Sequence, residues 1–175
     1  IIWPYTPTIN VSHQAEYGEY DITHSNYPTQ YFSKSRPPNL QISGPLTAQS
    51  AAEGNYMIAC LHFLRIVTKM HFGMNDEKRG TPPPVLKFSA YGDLMFSNIP
   101  VLVRSFAYDL GQDIDYIDIE TDSAQAGFSN GFSSKVPTML NLVIDLVVQQ
   151  TPSKLRTTFT MNDFKSGKLV KDGFI

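Results

Sequence analysis

Cysteine is almost missing from this chain: among 175 residues, Cys60 stands alone. A single thiol excludes an intrachain disulfide framework and a zinc site built from cysteines. Charge is scarce too, at 17% of residues, with 14 Lys and Arg against 16 Asp and Glu. A net charge of −2 leaves no global basic field to hold nucleic acid or an anionic membrane. So little charge beside 42% hydrophobic residues does not describe a chain kept disordered by self-repulsion. No apolar run approaches the ~20 residues of a membrane-spanning helix. The four histidines, His13, His24, His62 and His71, show no His-x-x-x-His or Glu-x-x-His spacing for a metal. A Gly-x-Ser-x-Gly elbow and a glycine-rich phosphate loop are missing as well. The sequence therefore assigns no catalytic, cofactor-binding or metal-ligating residue, and the chain reads as no enzyme.

Aromatic residues are abundant instead, with 9 Tyr and 11 Phe. Tyr5, Tyr17, Tyr20, Tyr27, Tyr31 and Phe32 crowd the start of the chain. A β core with aromatic cross-strand pairs accounts for some of them. An assembly surface accounts for the rest, because interface centres enrich aromatics and deplete charge.

One helix is written clearly. Ser50-Ala51-Ala52-Glu53 is a capping box, in which hydroxyl and carboxylate satisfy backbone N–H groups of the first turn. The apolar pattern continues through Phe72, and Gly73 is the natural stop. About 22 residues at ~1.5 Å rise would span ~33 Å. Met57, Leu61, Leu64 and Val67 form one apolar stripe, and Tyr56, Ala59, Phe63, Ile66 and Met70 form the next. Only Asn55, His62, Arg65 and Lys69 make a polar stripe, so the helix is expected to be covered on more than one side.

The remainder reads as strands. Ile9, Val11, His13, Ala15 and Tyr17 alternate with polar neighbours, and Leu40–Gly44 continues in that style. Val85–Tyr91 turns at Gly92-Asp93 into Leu94–Asn98, a hairpin, followed by strands at Val101–Phe106 and Asp115–Glu120. The strongest period-2 segment puts Leu140, Leu142, Ile144, Leu146 and Val148 on one face. Most prolines fall between these segments or at their ends. Residues 74–84 and 122–137 read as loops, the second expected to be a binding segment or mobile. The fold class is mainly β with one long helix, in a single domain over residues 1–175.

Three local features carry two readings each. Six acids and no base occupy residues 109–122, which is a solvated acidic face or a functional surface. The last 25 residues hold five bases and two acids, fitting a weak single-strand patch or a tail that docks on a neighbouring acidic surface. Cys60 sits on the apolar side of the helix, where a buried inert thiol is expected and a nucleophile is the other reading.

The order of elements then acquires a resemblance. A strand at Pro7–Val11 leads to Tyr17-Gly18-Glu19-Tyr20, then to the helix ending His62-Phe63-Leu64-Arg65-Ile66-Val67-Thr68-Lys69-Met70-His71-Phe72-Gly73. Gly80-Thr81-Pro82-Pro83-Pro84 and the hairpin Val85–Asn98 follow, and the chain closes on Asp172-Gly173-Phe174-Ile175. This resembles the baseplate tail-tube proteins of T4-like contractile-tailed bacteriophages, above all those that cap the central hub. The resemblance covers essentially the whole chain, and its specific part is the helix, Pro-Pro-Pro and hairpin block. Such proteins carry an N-terminal portion, so a chain opening on Ile1 is expected to be the C-terminal part of a longer one.

The resemblance implies a tail-tube-like β-sandwich or barrel domain that closes into a homohexameric ring. It implies a structural role in the virion's tail baseplate, assembled in the host cytoplasm. The ring would lie between the central hub protein and the tail-tube initiator ring, nucleate the tail tube and line the channel for genome ejection. Tape-measure protein and DNA would pass through without specific binding, and no membrane or cofactor is involved. Asn55, His62, Arg65 and Lys69 are then candidate subunit-interface residues. Asp118, Glu120 and Asp122 would face the lumen or pair with bases of a neighbour. The alternative is a β-sandwich ligand-binding module or small hydrolase with a loop lid at 122–137.

Overall fold

A computed structural model describes residues 1–121 and 132–175. The chain is mainly β and antiparallel. Its strands are β1 (Thr8–Tyr20), β2 (Thr29–Thr47), β3 (Leu86–Ala90), β4 (Phe96–Asp109), β5 (Tyr116–Thr121), β6 (Phe132–Pro137) and β7 (Met139–Val148). Five of them form a sheet in the order β1-β2-β7-β4-β3, and β5 and β6 form a separate two-stranded sheet. The larger sheet is open among the described residues, with β1 and β3 at its edges and no closed barrel.

Among the described residues there are three helices and not the single long one expected: α1 (Ala51–Val67), α2 (Pro152–Thr157) and α3 (Met161–Lys165), followed by a 3-10 turn over Lys168–Asp172. The helix α1 starts at the expected Ser50 cap, but the returning carboxylate bond goes to Gln49, one residue before the cap. Ser50 Oγ accepts from the Glu53 N–H at 3.4 Å, and Glu53 Oε2 accepts from the Gln49 N–H at 2.7 Å. Its end comes five residues early, at Val67 instead of Phe72. The β-branched run Ile66-Val67-Thr68 loses side-chain freedom in a helix, and Thr68 Oγ1 donates back to the Arg65 carbonyl at 3.0 Å. Beyond it the backbone has other partners: the His71 N–H donates to the Thr81 carbonyl, and the His71 carbonyl accepts from the Gly80 N–H.

Other strand boundaries are also corrected. Val101–Phe106 is not separate but continues from Phe96 through Pro100 as one 14-residue strand. Pro37, Pro38 and Pro100 lie inside strands, which admit proline where its missing N–H faces no ladder acceptor. The segment 132–137, read as loop, is β6, pairing antiparallel with β5 so that Ile117 opposes Val136 and Ile119 opposes Ser134. Residues 122–131 of that loop lie outside the described residues.

The chain divides into two compact units. The first holds residues 1–9, 41–84 and 103–146. Here α1 packs on β5 and β6 through the stripe Gly54, Met57, Cys60, Leu64 and Val67. Gly54 is required by contact distance, since a Cβ there would lie 2.8 Å from Ile119 Cγ2 and 3.5 Å from Ile117 Cδ1. Leu140, Leu142, Ile144 and Leu146 are buried on one face of β7, as the alternation predicted. On its other face Asp145 accepts from Gln41 Nε2 at 2.9 Å and Ser105 Oγ at 2.8 Å, tying three neighbouring strands by side chains.

The second unit holds residues 10–40, 85–102 and 147–175. It contains the outer parts of β1 and β2, the predicted β3–β4 hairpin and the C-terminal helical turns. Leu86 opposes Val101 and Phe88 opposes Ile99 across that hairpin, and Phe96, Ile99 and Val101 are buried. The tail is tied in place: Gln150 Nε2 donates to the Gly173 carbonyl, and Gly173 (φ 77°) approaches Asn98 and Pro100 too closely for a side chain.

Candidate functional site

The described residues bring together no group of three His, Cys, Asp or Glu side chains able to hold a metal. None of their helices is long and apolar enough to cross a membrane. Cys60 is buried among the core side of α1. What the fold builds instead is exposed apolar surface.

The first such surface is the β1–β2 ribbon. From Thr29 to Pro37 every residue of β2 is exposed, so both faces of that strand are open. Ser12, His13, Gln14 and Ala15 on β1 are exposed as well. The ribbon is internally ordered: Tyr17 and Phe32 meet edge-on at 6.0 Å, and the Tyr31 ring lies across Gly18. Lys34 Nζ stands 3.2 Å from Glu16, whose other carboxylate oxygen accepts from Arg36 Nε. Tyr20 is 64% and Tyr27 82% exposed at the tip, far more than rings in a core. A two-stranded ribbon with bare faces is marginal in water by itself.

The ion-paired cluster has a measurable signature. The hydrogen bond from Arg36, and behind it that from Lys34, hold the Glu16 carboxyl below its ordinary value, against an opposing push from desolvation. Its contribution to stability is therefore present above the unfolded carboxyl's pKa and lost as pH falls through the depressed folded one. In an NMR titration the Glu16 side-chain carbon should move at lower pH than a free glutamate, and Arg36→Ala should bring it back up. An ordinary titration in the wild type would show that the pair does not persist in water.

The second surface is on α1. Its buried stripe leaves Tyr56, Phe63 and Ile66 exposed on another side, with Ile66 at 65%. The expected polar residues Asn55, His62 and Arg65 are exposed, and Arg65 Nη2 donates to Tyr108 Oη at 3.1 Å. Lys69 is not on the helix at all, because α1 ends before it. Near the helix start, Tyr56 Oη accepts from Ile2 N–H at 2.6 Å and donates to the Ile2 carbonyl, closing one side of a hollow of about 450 Å³. Burial, its main cause, pushes the Tyr56 hydroxyl pKa up.

The acidic stretch is only partly assembled. Asp118 is exposed on β5 and lies 4.0 Å from Lys135 Nζ of the paired strand β6. An ion pair this exposed contributes little. Glu120 follows two residues later on the same strand, while Asp122 lies outside the described residues.

The third surface was missed by sequence reasoning. A groove of about 730 Å³ runs between the base of the ribbon, at Ala15, Pro37 and Pro38, and the C-terminal turns, at Leu155, Met161 and Phe164. Phe159 stands between Phe164 and Phe174, 5.7 Å from each ring centre, and Lys154 Nζ lies 5.5 Å from the Phe174 ring. Thr151-Pro152 and Thr160–Asp163 carry N-cap signals that announce these turns: Thr160 Oγ1 accepts from Asp163 N–H at 3.2 Å.

No family model matches the chain. Nor does any curated protein match it. The surfaces themselves therefore carry the functional argument.

Proposed function

We propose that the chain is a structural assembly protein of the tail-tube kind. Copies of it join edge to edge into a hexameric ring at the tail baseplate, between the hub and the growing tube. The observation that carries this reading is the open five-stranded sheet, whose edge strand β1 belongs to a ribbon exposed on both faces. An open strand edge is a template for further pairing and a hazard in a monomer, and closing it in a ring removes the hazard. The exposed apolar side of α1 supports the same reading, since a neighbouring subunit gives it cover. The resemblance in element order supplies the baseplate location, the hub and tube partners, and the passage of tape-measure protein and DNA through the channel.

In this role the chain's chemistry is templating. One ring presents strand edges and apolar recesses on which the next layer nucleates. A lumen that passes DNA must not grip polyphosphate, and acids such as Asp118 suit its wall. Negative-stain imaging of the chain with its hub tests the reading. Rings with a central channel are expected, and a chain that stays monomeric beside its hub would overturn it.

A further inference from the structure

The exposed ribbon and the C-terminal groove both belong to the second unit, and they are complementary in apolar character and net charge. The ribbon tip, residues 17–28, carries Glu19 and Asp21 and neither Lys nor Arg. Four large apolar side chains of the tip, Tyr17, Tyr20, Ile22 and Tyr27, are each more than half exposed. The groove is apolar along Leu155, Phe159, Met161 and Phe164, and residues 151–175 around it carry five bases against two acids. Arg36 is the one Lys or Arg among the groove-lining residues. An acidic aromatic element therefore faces solvent on one part of the molecule, and an apolar recess within a net-basic segment on another.

We infer that the ribbon tip of one copy seats in the C-terminal groove of a second copy of this chain. This inference rests on the ring-assembly reading above and adds a second contact to its strand-edge pairing. A copy does not satisfy itself, because its groove is walled by its own ribbon base at Ala15, Pro37 and Pro38. Five residues of paired strand, about 17 Å at ~3.3 Å per residue, separate that base from Tyr20. Strand pairing with β2 and the Tyr17–Phe32 contact order the ribbon across this span. The contact is head-to-tail, since each copy offers one tip and one groove. Contacts of that type close a ring where the rotation between copies completes a circle, and the ring reading requires that they do. Tyrosine suits the task, having a large rigid ring with few torsions to freeze and a hydroxyl that stays wet at the rim.

A charge exchange tests the contact by light scattering across protein concentration. The tip variant carries Glu19→Lys and Asp21→Lys, and the groove variant carries Met161→Glu and Lys165→Glu. All four positions are exposed, so circular dichroism should show both variants folded as wild type. Each variant alone should assemble at least about tenfold more weakly than wild type, because like charges meet at the contact. Mixed in equal amounts they should assemble again, since every tip then meets a groove of opposite charge. If wild type assembles and both variants assemble equally well, the tip–groove contact is wrong while the ring reading stands. If wild type stays monomeric at every concentration, with and without the hub, the ring reading falls and takes the contact with it.

Discussion

Leu142→Ala should lower stability by about 3 kcal/mol, within the 2–5 kcal/mol usual for emptying a buried leucine site. Leu142 has no exposed surface, and its neighbours along the same face of β7, Leu140, Ile144 and Leu146, are buried too. A strand in the middle of the sheet order cannot shift to fill the space without breaking its pairing with β2 or β4. Asn141→Ala, one residue away on the exposed face, should change stability by no more than about 0.5 kcal/mol. Urea denaturation at a single fixed protein concentration is the right measurement, because assembly adds its own stabilisation by mass action. Equal midpoints for the two variants would mean that the alternation of β7 does not define a buried face.

Gly54→Leu should cost about as much by the opposite mechanism, overpacking, which typically takes 1–3 kcal/mol and occasionally more. The helix α1 lies so close to β5 that even one added carbon would stand 2.8 Å from Ile119. Leucine adds four, and β5 must move or the helix must lift. Gly54→Ala makes the comparison sharper. Alanine gains about 1 kcal/mol of helix propensity over glycine, so at an open site it would stabilise. Here the contact with Ile119 should cancel that gain or reverse it. A clear rise in the denaturation midpoint for Gly54→Ala would contradict the close approach of α1 to β5.

These two sites differ in how much the sequence disclosed. The face of β7 was legible because its pattern is local and repeats every second residue. The capping box at Ser50 was legible for the same reason. Gly54 was not, since its role depends on Ile119, 65 residues further on. The end of α1 misled because its apolar pattern runs to Phe72, while the backbone at His71 is taken by Gly80 and Thr81. The strand β6 misled because its Ser-rich composition reads as loop and only Val136 announces a buried face.

The candidate surfaces divide along the same line. The crowd of aromatics before Phe32 was visible in the sequence, and the structure adds that those at the ribbon tip point to no core. Three of the four residues of the polar stripe, Asn55, His62 and Arg65, are on the surface of α1, but Lys69 is past its end. The groove was illegible, because it is made where strand residues near Ala15 and Pro37 meet a tail more than a hundred residues later. No local pattern encodes such a meeting. The caps at Thr151 and Thr160 were the available signal, and they mark helical turns without saying what those turns face.

The central claim is that this chain covers its open sheet edge and exposed aromatic ribbon with copies of itself. The mass of the assembled species, measured by light scattering as concentration rises, tests it most directly. The account predicts growth from the 19.6 kDa of one chain to a closed species of six, with no further increase once the ring is complete. A mass that stays at 19.6 kDa at every concentration, with and without the hub, would contradict it.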